Sequence, residues 1–314
     1  MTIEAAQKTT AAQGKPCVFI QTNRKQLLGA LIAEYSLKRN SATPDAFDVK
    51  IMHQEDYDFF RKKEGKVYLR DRLKRVWLND DLQSFTPLRF MPPELMGYQG
   101  RSLVIDPDVF AVGDVCELLK RDMQGHAVLC RSRGARKAHA TSVMLLDNAK
   151  LKHWQVEKQF NQMFEFKLDY IDWTSLALEQ QDTIGRLENE WNDFDRLTPA
   201  TKMIHNTRRK TQPWKTGLKV DFSPVDRVYF FPPWAWLMQA RRKLFGDYGL
   251  LGHYQPHPDP NQERFFFGLV RECLEKGIIT EAQVRDEMKQ NHVRHDALEV
   301  ARRAPLSVAH PAAA

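Results

Sequence analysis

The sequence predicts an α/β protein, and three observations support that prediction. Short apolar runs alternate with longer segments in which apolar residues recur at helical spacing. Apolar residues make up 42% and charged residues 28% of the 314 positions, which is typical of soluble globular proteins and excludes a fibrous or wholly disordered class. Because no run approaches about 18 consecutive apolar residues, the sequence predicts no membrane-spanning helix.

Strands and helices alternate through the first third of the chain. Apolar runs at 17–20, 47–52 and 102–105 predict buried strands, and helical spacing predicts helices over 26–38 and around 88–96. Strands that alternate with helices form βα units, whose strands pair mostly in parallel and are covered on both faces. This part of the chain therefore predicts a mostly parallel sheet between two layers of helices.

The end of the chain is predicted to be helical. Apolar spacing indicates a helix over 265–275 that stops before Gly277, a residue suited to a helix C-terminus. Thr280 with Gln283 three residues later is the pattern of a capping box, which opens the next helix. Earlier aromatic residues, Trp154, Phe160, Phe164 and Phe166, are predicted to lie in the core.

Composition changes near Phe222, and we place a domain boundary there. We predict an α/β domain over 15–222, a helical C-terminal extension over 223–303, and flexible tails at 1–14 and 304–314. The aromatic segment 229–237, close to the basic residues 241–243, is predicted to pack the extension onto the α/β body. Aromatic residues beside basic ones also suit a peripheral membrane contact, so that alternative stays open.

The charge balance suggests an anionic partner. Lys and Arg number 47 against 40 Asp and Glu, a net charge of +7. Nucleotide diphosphates, nucleic acid and acidic membranes all fit an excess of this sign. A nucleic-acid-binding module would need basic residues interleaved with aromatic ones on one face. Here they are dispersed among the acidic residues, so we predict no nucleic-acid partner.

The cysteines and the N-terminus predict a cytoplasmic protein. Four cysteines lie far apart, without a CxxC pair, and therefore indicate reduced thiols and neither disulfides nor a zinc site: Cys17, Cys116, Cys130 and Cys273. The first 14 residues are polar and lack the apolar stretch of a secretory signal.

An acidic pair follows the strand predicted at 102–105. Asp106 and Asp108 flank Pro107, and two carboxylates two residues apart at the end of a strand point the same way, into the crevice where α/β sheets bind ligands. Such a pair can hold a hard divalent cation, which can in turn hold a diphosphate. Two other Asp-x-Asp patterns, at 56–58 and 193–195, lie in charged or polar stretches and are predicted to be solvated surface.

Several motifs in order resemble the core of glycosyltransferase family 8. Residues 89–98 (RFMPPELMGY), 100–108 (GRSLVIDPD) and 112–115 (VGDV) are similar to the family's Arg-containing helix, its metal motif and the segment that follows. Residues 142–147 resemble its second core strand, and 201–215 its closing motif. The resemblance implies a GT-A fold with a mixed sheet flanked by helices, and a retaining transfer from a UDP-sugar donor to an acceptor that the sequence does not identify.

The resemblance also implies a metal centre. Asp106 and Asp108 would ligate the ion, and His205 would complete the protein's share of the coordination. Because a neutral imidazole beside carboxylates suits Mn²⁺ better than Mg²⁺, the implied cofactor is Mn²⁺, with Mg²⁺ as the alternative.

The same resemblance assigns roles around the donor. Arg89 would meet the diphosphate or the sugar, and Asp172 stands where the family has an acidic residue beside the reacting sugar. Lys215, with Lys210 as the alternative, would contact phosphate. Three polar residues after the first strand would contact the nucleotide: Gln21, Thr22 and Asn23.

Departures from the family pattern keep other functions open. Ala140-Thr141-Ser142 replaces Asn-Ser-Gly, and Trp173 replaces a Gln, so a nucleotide-sugar-binding protein with weak or no turnover is an alternative. A nucleotidyltransferase is disfavoured because no Gly-rich phosphate loop follows the first strand. Asp172 could instead cap a helix beginning at Trp173. The basic run 131–137 is predicted to be a solvated loop, with phosphate or acceptor contact as the alternative.

Overall fold

The computed structural model describes residues 14–133, 139–222, 237, 240–241, 244–245 and 252–306. Eleven strands lie within these residues: β1 Cys17–Thr22, β2 Asp48–His53, β3 Val67–Arg70, β4 Leu73–Val76, β5 Arg101–Ile105, β6 Val109–Ala111, β7 Val128–Ser132, β8 His139–Asp147, β9 Ile184–Arg186, β10 Asp193–Phe194 and β11 Met203–His205. Within the same residues, the α-helices named here are α1 Leu27–Arg39, α2 Asp58–Arg61, α3 Pro92–Leu95, α4 Val115–Leu119, α5 Val156–Phe164, α6 Tyr170–Thr174, α7 Pro260–Glu275, α8 Glu281–Lys289 and α9 Ala297–Arg303.

The central sheet has six strands in the order β2-β1-β5-β8-β7-β9. β1 pairs in parallel with β2 and β5, and β7 with β9, whereas β8 runs antiparallel to both of its neighbours. The α/β fold class, a mixed sheet flanked by helices, is thus confirmed. The mostly parallel pairing expected from βα alternation is corrected at β8, because the link from β7 to β8 is too short for the crossover that parallel strands need.

The predicted strands at 17–20, 47–52 and 102–105 are confirmed as β1, β2 and β5, and the helix over 26–38 as α1. The helical stretch around 88–96 is divided into a 3₁₀ turn, Thr86–Phe90, and the short helix α3. Pro92 and Pro93 explain the division, because neither can donate the backbone hydrogen bond that a continuous helix would need there.

A second sheet positions part of the site. It has three strands in the order β10-β11-β6, with β10 parallel and β6 antiparallel to β11. The prediction that 193–195 is solvated surface is wrong: Asp193 is buried in this sheet, and Asp195 is nearly so, with a side chain 6% exposed. Strand pairing with β11 explains the burial, since it draws the segment under neighbouring chain. The pair at 56–58 is exposed as predicted.

The predicted helix over 265–275 is confirmed within α7, and the capping box of Thr280 and Gln283 is confirmed at α8. Phe266 on α7 packs against Phe110 and Trp214, with ring centroids 5.4 and 4.8 Å away. These helices belong to the same hydrophobic cluster as α1 and β5. The predicted boundary near 222 adjoins undescribed residues and stays a prediction.

The structure also tests several smaller predictions made from the sequence. Trp154 and Phe160 are fully buried and Phe164 partly so, but Phe166 is 44% exposed and was wrongly placed in the core, because it sits in a turn with a φ of +58°. All four cysteines are buried free thiols. In the part of the chain that the structure describes, no helix is both long and apolar enough to cross a membrane. Residues 1–13, 134–138, 229–236, 242–243 and 307–314, on which parts of the tail, basic-run and aromatic-segment predictions fall, lie outside the described residues.

Candidate active site

The acidic pair lies in a tight turn between β5 and β6. The backbone N–H of Asp106 donates to the carbonyl of Ser142 on β8 (3.0 Å), and the N–H of Val109 donates back to the carbonyl of Asp106 (3.1 Å). Helix α1 crosses close to this turn: a Cβ added to Gly29 would lie 2.6 Å from the carbonyl oxygen of Pro107. Two strands and one helix therefore fix the position of both carboxylates.

His205 reaches the pair through the second sheet. It is the last residue of β11 and pairs with Val109 of β6, the residue that directly follows Asp108. Its Nε2 lies 3.3 Å from Oδ1 of Asp108, and one ligand atom each from Asp106, Asp108 and His205 lie within 4.8 Å of one another. The residues predicted to ligate a metal are thus brought together from two separate sheets.

Asn192 orients the histidine ring. Its Oδ1 lies 2.9 Å from Nδ1 of His205, while its Nδ2 donates to Oγ of Ser142 (3.0 Å). Because an amide oxygen can only accept, Nδ1 carries the proton, and in the neutral ring the lone pair of Nε2 faces Asp108. A lone pair and two carboxylates aimed at one point fit a divalent cation, and a fixed second nitrogen is the usual arrangement behind a metal-bound histidine.

Arg89 makes a buried salt bridge with Asp106. Its Nε donates to Oδ1 of Asp106 (2.8 Å), its Nη2 donates to Oδ2, and its Nη1 donates to Oγ1 of Thr141 (2.8 Å). Burial disfavours the charge of Arg89, but the carboxylate of Asp106 outweighs that effect and raises its pKa. Burial also raises the pKa of the Asp106 carboxyl, against the lowering effect of Arg89. Arg89 therefore fixes the orientation of the Asp106 carboxylate, one of the three candidate metal ligands.

One cleft is lined by Arg89, Asp106, Asp108, Ser142 and His205. Two further arginines, Arg133 and Arg209, line the same cleft, so cations surround the acidic pair. Gln212 closes another side, where its Nε2 donates to Oδ2 of Asp108 (3.3 Å). A cleft with a divalent-cation site and surrounding guanidinium groups can bind a diphosphate.

Gln21 and Thr22 end β1, Asn23 follows it, and all three are almost completely buried. The amide of Gln21 donates to Oδ1 of Asp106, and the hydroxyl of Thr22 donates to the carbonyl of Asn23 (3.1 Å). Asn23 donates from Nδ2 to the carbonyl of Asp81 (2.9 Å) and to Oγ of Ser84 (3.0 Å). The structure therefore brings Gln21 to the acidic pair and ties Asn23 to the loop that contains Asp81 and Ser84.

Lys215 does not line the cleft. Its side chain is 2% exposed, and Nζ donates to Oδ2 of Asp221 (3.0 Å) and to the carbonyl of Asn291 (3.2 Å). Burial lowers the pKa of Lys215, an effect that Asp221 opposes. Lys210, the alternative, is exposed.

Asp172 lies in the first turn of α6, where its Oδ2 forms a salt bridge with Nη2 of Arg72 (2.9 Å). The alternative that Asp172 caps a helix beginning at Trp173 is wrong. The helix starts at Tyr170, and the capping side chain is Asp169, which accepts from the N–H of Ile171 (2.8 Å).

Sequence reasoning missed Asn192 and Gln212 as site residues, and it indicated Arg209 only as one of the basic residues in the motif at 201–215. Arg209 and Gln212 lie inside the motif at 201–215, so their nearness to His205 was a usable signal. Residue spacing along the sequence could not indicate Asn192, because only the pairing of β10 with β11 brings it to His205. In the basic run, Arg133 lines the cleft, and the guanidinium of Arg131 stacks 4.0 Å from the ring of Phe194.

No protein-family profile matches the chain, and no curated protein matches its sequence. Solved structures similar to it include glycosyltransferase GlyE of Streptococcus pneumoniae TIGR4, at 15% identity and a TM-score of 0.47 over 86% of this chain and 65% of that one. The galactosyltransferase LgtC with donor and acceptor sugar analogues is 12% identical, with a TM-score of 0.44 over 63% and 89% of the two chains. Mouse xyloside xylosyltransferase 1 is 12% identical, with a TM-score of 0.42 over 63% and 99%.

These neighbours are described as glycosyltransferases, the class that the sequence motifs resemble. This chain spans about two thirds of the length of the GlyE structure.

Proposed function

We propose that the protein is a metal-dependent glycosyltransferase that moves a sugar from a UDP-sugar to an acceptor with retention of configuration. The observation that carries the proposal is the meeting of Asp106, Asp108 and His205 in a cleft lined by arginines. The ordered motifs that resemble glycosyltransferase family 8 support the same class.

Asp106, Asp108 and His205 would hold the ion, and the imidazole favours Mn²⁺ over Mg²⁺. A divalent cation bound there supplies positive charge against the leaving diphosphate. Arg133 and Arg209 would form charge-assisted hydrogen bonds to the same diphosphate, while Arg89 keeps Asp106 in position. We place Asp172 beside the donor sugar and Gln21, Thr22 and Asn23 towards the nucleotide. Four buried thiols favour a reducing compartment such as the cytoplasm.

Titration calorimetry with UDP, in the presence and absence of Mn²⁺, tests the binding part of this proposal. We expect UDP to bind only with Mn²⁺, and hydrolysis assays across UDP-sugars to identify a donor. Asp108→Asn should abolish both the Mn²⁺-dependent binding of UDP and the hydrolysis, because it removes one of two carboxylate ligands. Asp56→Asn, in the exposed Asp-x-Asp at 56–58, is the matched control and should keep both. Unchanged binding and hydrolysis in Asp108→Asn would refute the proposal.

A binding protein without turnover is the second candidate. It is favoured by the pairing of the Asp172 carboxylate with Arg72, and by Trp173, whose indole stacks on Phe90 where the family pattern has a Gln. Metal-dependent binding of UDP without hydrolysis or transfer of any UDP-sugar would identify this function.

A further inference from the structure

A second cavity adjoins the cleft. It lies between the β3–β4 hairpin, the loop after β4 and helix α6. We call it the arginine cavity, after three of its lining residues, Arg70, Arg75 and Arg209. Its walls include three aromatic side chains, Tyr68, Trp77 and Tyr170.

Positive charge exceeds negative charge in this cavity. The guanidinium of Arg70 lies 4.4 Å from the ring of Tyr170 and donates from Nη2 to Oε1 of Gln83 (3.0 Å). The guanidinium of Arg209 lies 5.4 Å from the ring of Phe222. Within the described ranges neither forms an ion pair with a carboxylate, and Asp81 is the one acidic residue among the lining residues. Asp81 is a nearby counter-charge for Arg70, so the lining residues hold three guanidinium groups against one carboxylate. That excess of positive charge favours an anionic ligand.

The arginine cavity adjoins the cleft, and a loop separates it from the end of β1. Asp81 and Ser84 line the cavity and also contact Asn23, so this loop stands between the cavity and the end of β1. Gln83 and Arg209 line both the cavity and the cleft. A ligand in the cavity would therefore have one end at the border with the cleft.

We propose that the arginine cavity binds the acceptor, and that the acceptor is a sugar with an anionic group, a carboxylate or a phosphate. Arg70 binds the anion, because Arg209, which lines both spaces, is assigned to the donor diphosphate. The inference depends on the proposed function, since it takes the adjoining cleft to hold the donor.

Ligand-detected NMR titrations of the full chain test the inference with four probes: glucuronate, glucose 6-phosphate, glucose and inorganic phosphate. We expect at least one anionic sugar to bind about tenfold more tightly than glucose or phosphate, since a charge-assisted hydrogen bond is worth that much. Glucuronate and glucose 6-phosphate distinguish a carboxylate from a phosphate. Arg70→Gln should remove this preference, and the exposed Arg61→Gln is the matched control.

The outcomes separate this inference from the proposed function. The inference is overturned if glucose or inorganic phosphate binds as tightly as the anionic sugars, or if Arg70→Gln binds them as the native chain does. It is also overturned if Arg70→Gln weakens binding of UDP with Mn²⁺, because the cavity would then belong to the donor. Arg70→Lys, which keeps the charge, replaces Arg70→Gln if that variant fails to fold. It should weaken binding of the anionic sugars and leave binding of UDP with Mn²⁺ unchanged. Failure of the proposed function appears instead as no Mn²⁺-dependent UDP binding in the native chain.

Discussion

Hydrogen bonds to uncharged side chains fix the ionisable groups of the candidate site. Asn192 holds one nitrogen of His205, and Thr141 receives one hydrogen bond from Arg89. These contacts determine which atoms face the cleft, because a guanidinium or an imidazole can rotate unless its remaining nitrogens are bound. The position of Gly29 has a similar effect on the backbone, since a side chain there would collide with the turn that contains Pro107.

Asn192→Ala should weaken Mn²⁺ binding roughly tenfold or more, because His205 would lose the partner that fixes its proton on Nδ1. Titration of the protein with Mn²⁺ in the presence of UDP measures this. Asn189→Ala, on the same 3₁₀ turn but exposed, is the matched control. Equal Mn²⁺ affinity in both variants would show that Asn192 does not orient the ligand.

At the scale of elements, a buried ion pair and a hydrogen bond to it link residues on either side of an undescribed part of the chain. Lys215 contacts Asp221, which also accepts a hydrogen bond from the hydroxyl of Tyr254 (2.5 Å). Backbone bonds link the same region, from the N–H of Tyr254 to the carbonyl of Leu218 (2.8 Å). Burial alone would raise the pKa of Asp221, but Lys215 lowers it below the ordinary value. The geometry gives this lysine a structural role.

Lys215→Met should lower the free energy of unfolding by roughly 3 kcal/mol, because it leaves the buried Asp221 without its counter-charge. Chemical denaturation measures the loss, and the exposed Lys210→Met should show almost none. We expect the folded variant to bind UDP with Mn²⁺ as the native chain does. Weaker UDP binding with unchanged stability would instead support the phosphate contact predicted from the motif.

Across the whole molecule, the helices after residue 260 share one core with the α/β body. Tyr35 and Arg39 of α1 both donate to the carboxylate of Glu272 on α7, the hydroxyl at 2.7 Å and Nε at 2.6 Å. The apolar contacts of Phe266 add to these polar ones. Such extensive contacts favour unfolding of the body and these helices as a unit.

Phe266→Ala should destabilise the entire chain by roughly 3 to 5 kcal/mol, because it opens a cavity between α7 and the body. Thermal unfolding followed by far-UV circular dichroism and by tryptophan fluorescence should give coincident transitions at a lower midpoint. The exposed Arg264→Ala on the same helix should leave the midpoint unchanged. Separate transitions by the two probes would show that the C-terminal helices form an independent unit.

Part of the net charge of +7 also belongs to residues that the fold brings close together. Arg89, Arg133 and Arg209 line the cleft, and Arg70 and Arg75 line the adjoining cavity. Composition alone predicted an anionic partner of unspecified kind. The fold concentrates five guanidinium groups around two connected spaces, which favours small anionic ligands.

The sequence by itself determined the strands β1, β2 and β5, helix α1 and the candidate ligands Asp106, Asp108 and His205. Each depends on a local pattern, either apolar periodicity or a motif, and such patterns survive without knowledge of distant contacts. Only the tertiary structure decided that β8 runs antiparallel, that 193–195 is buried, and that Lys215 pairs with Asp221. It also brought Asn192 to His205 and Arg70 towards the cleft. These depend on strand pairing and on packing between segments distant in sequence, and residue spacing along the chain does not encode those contacts.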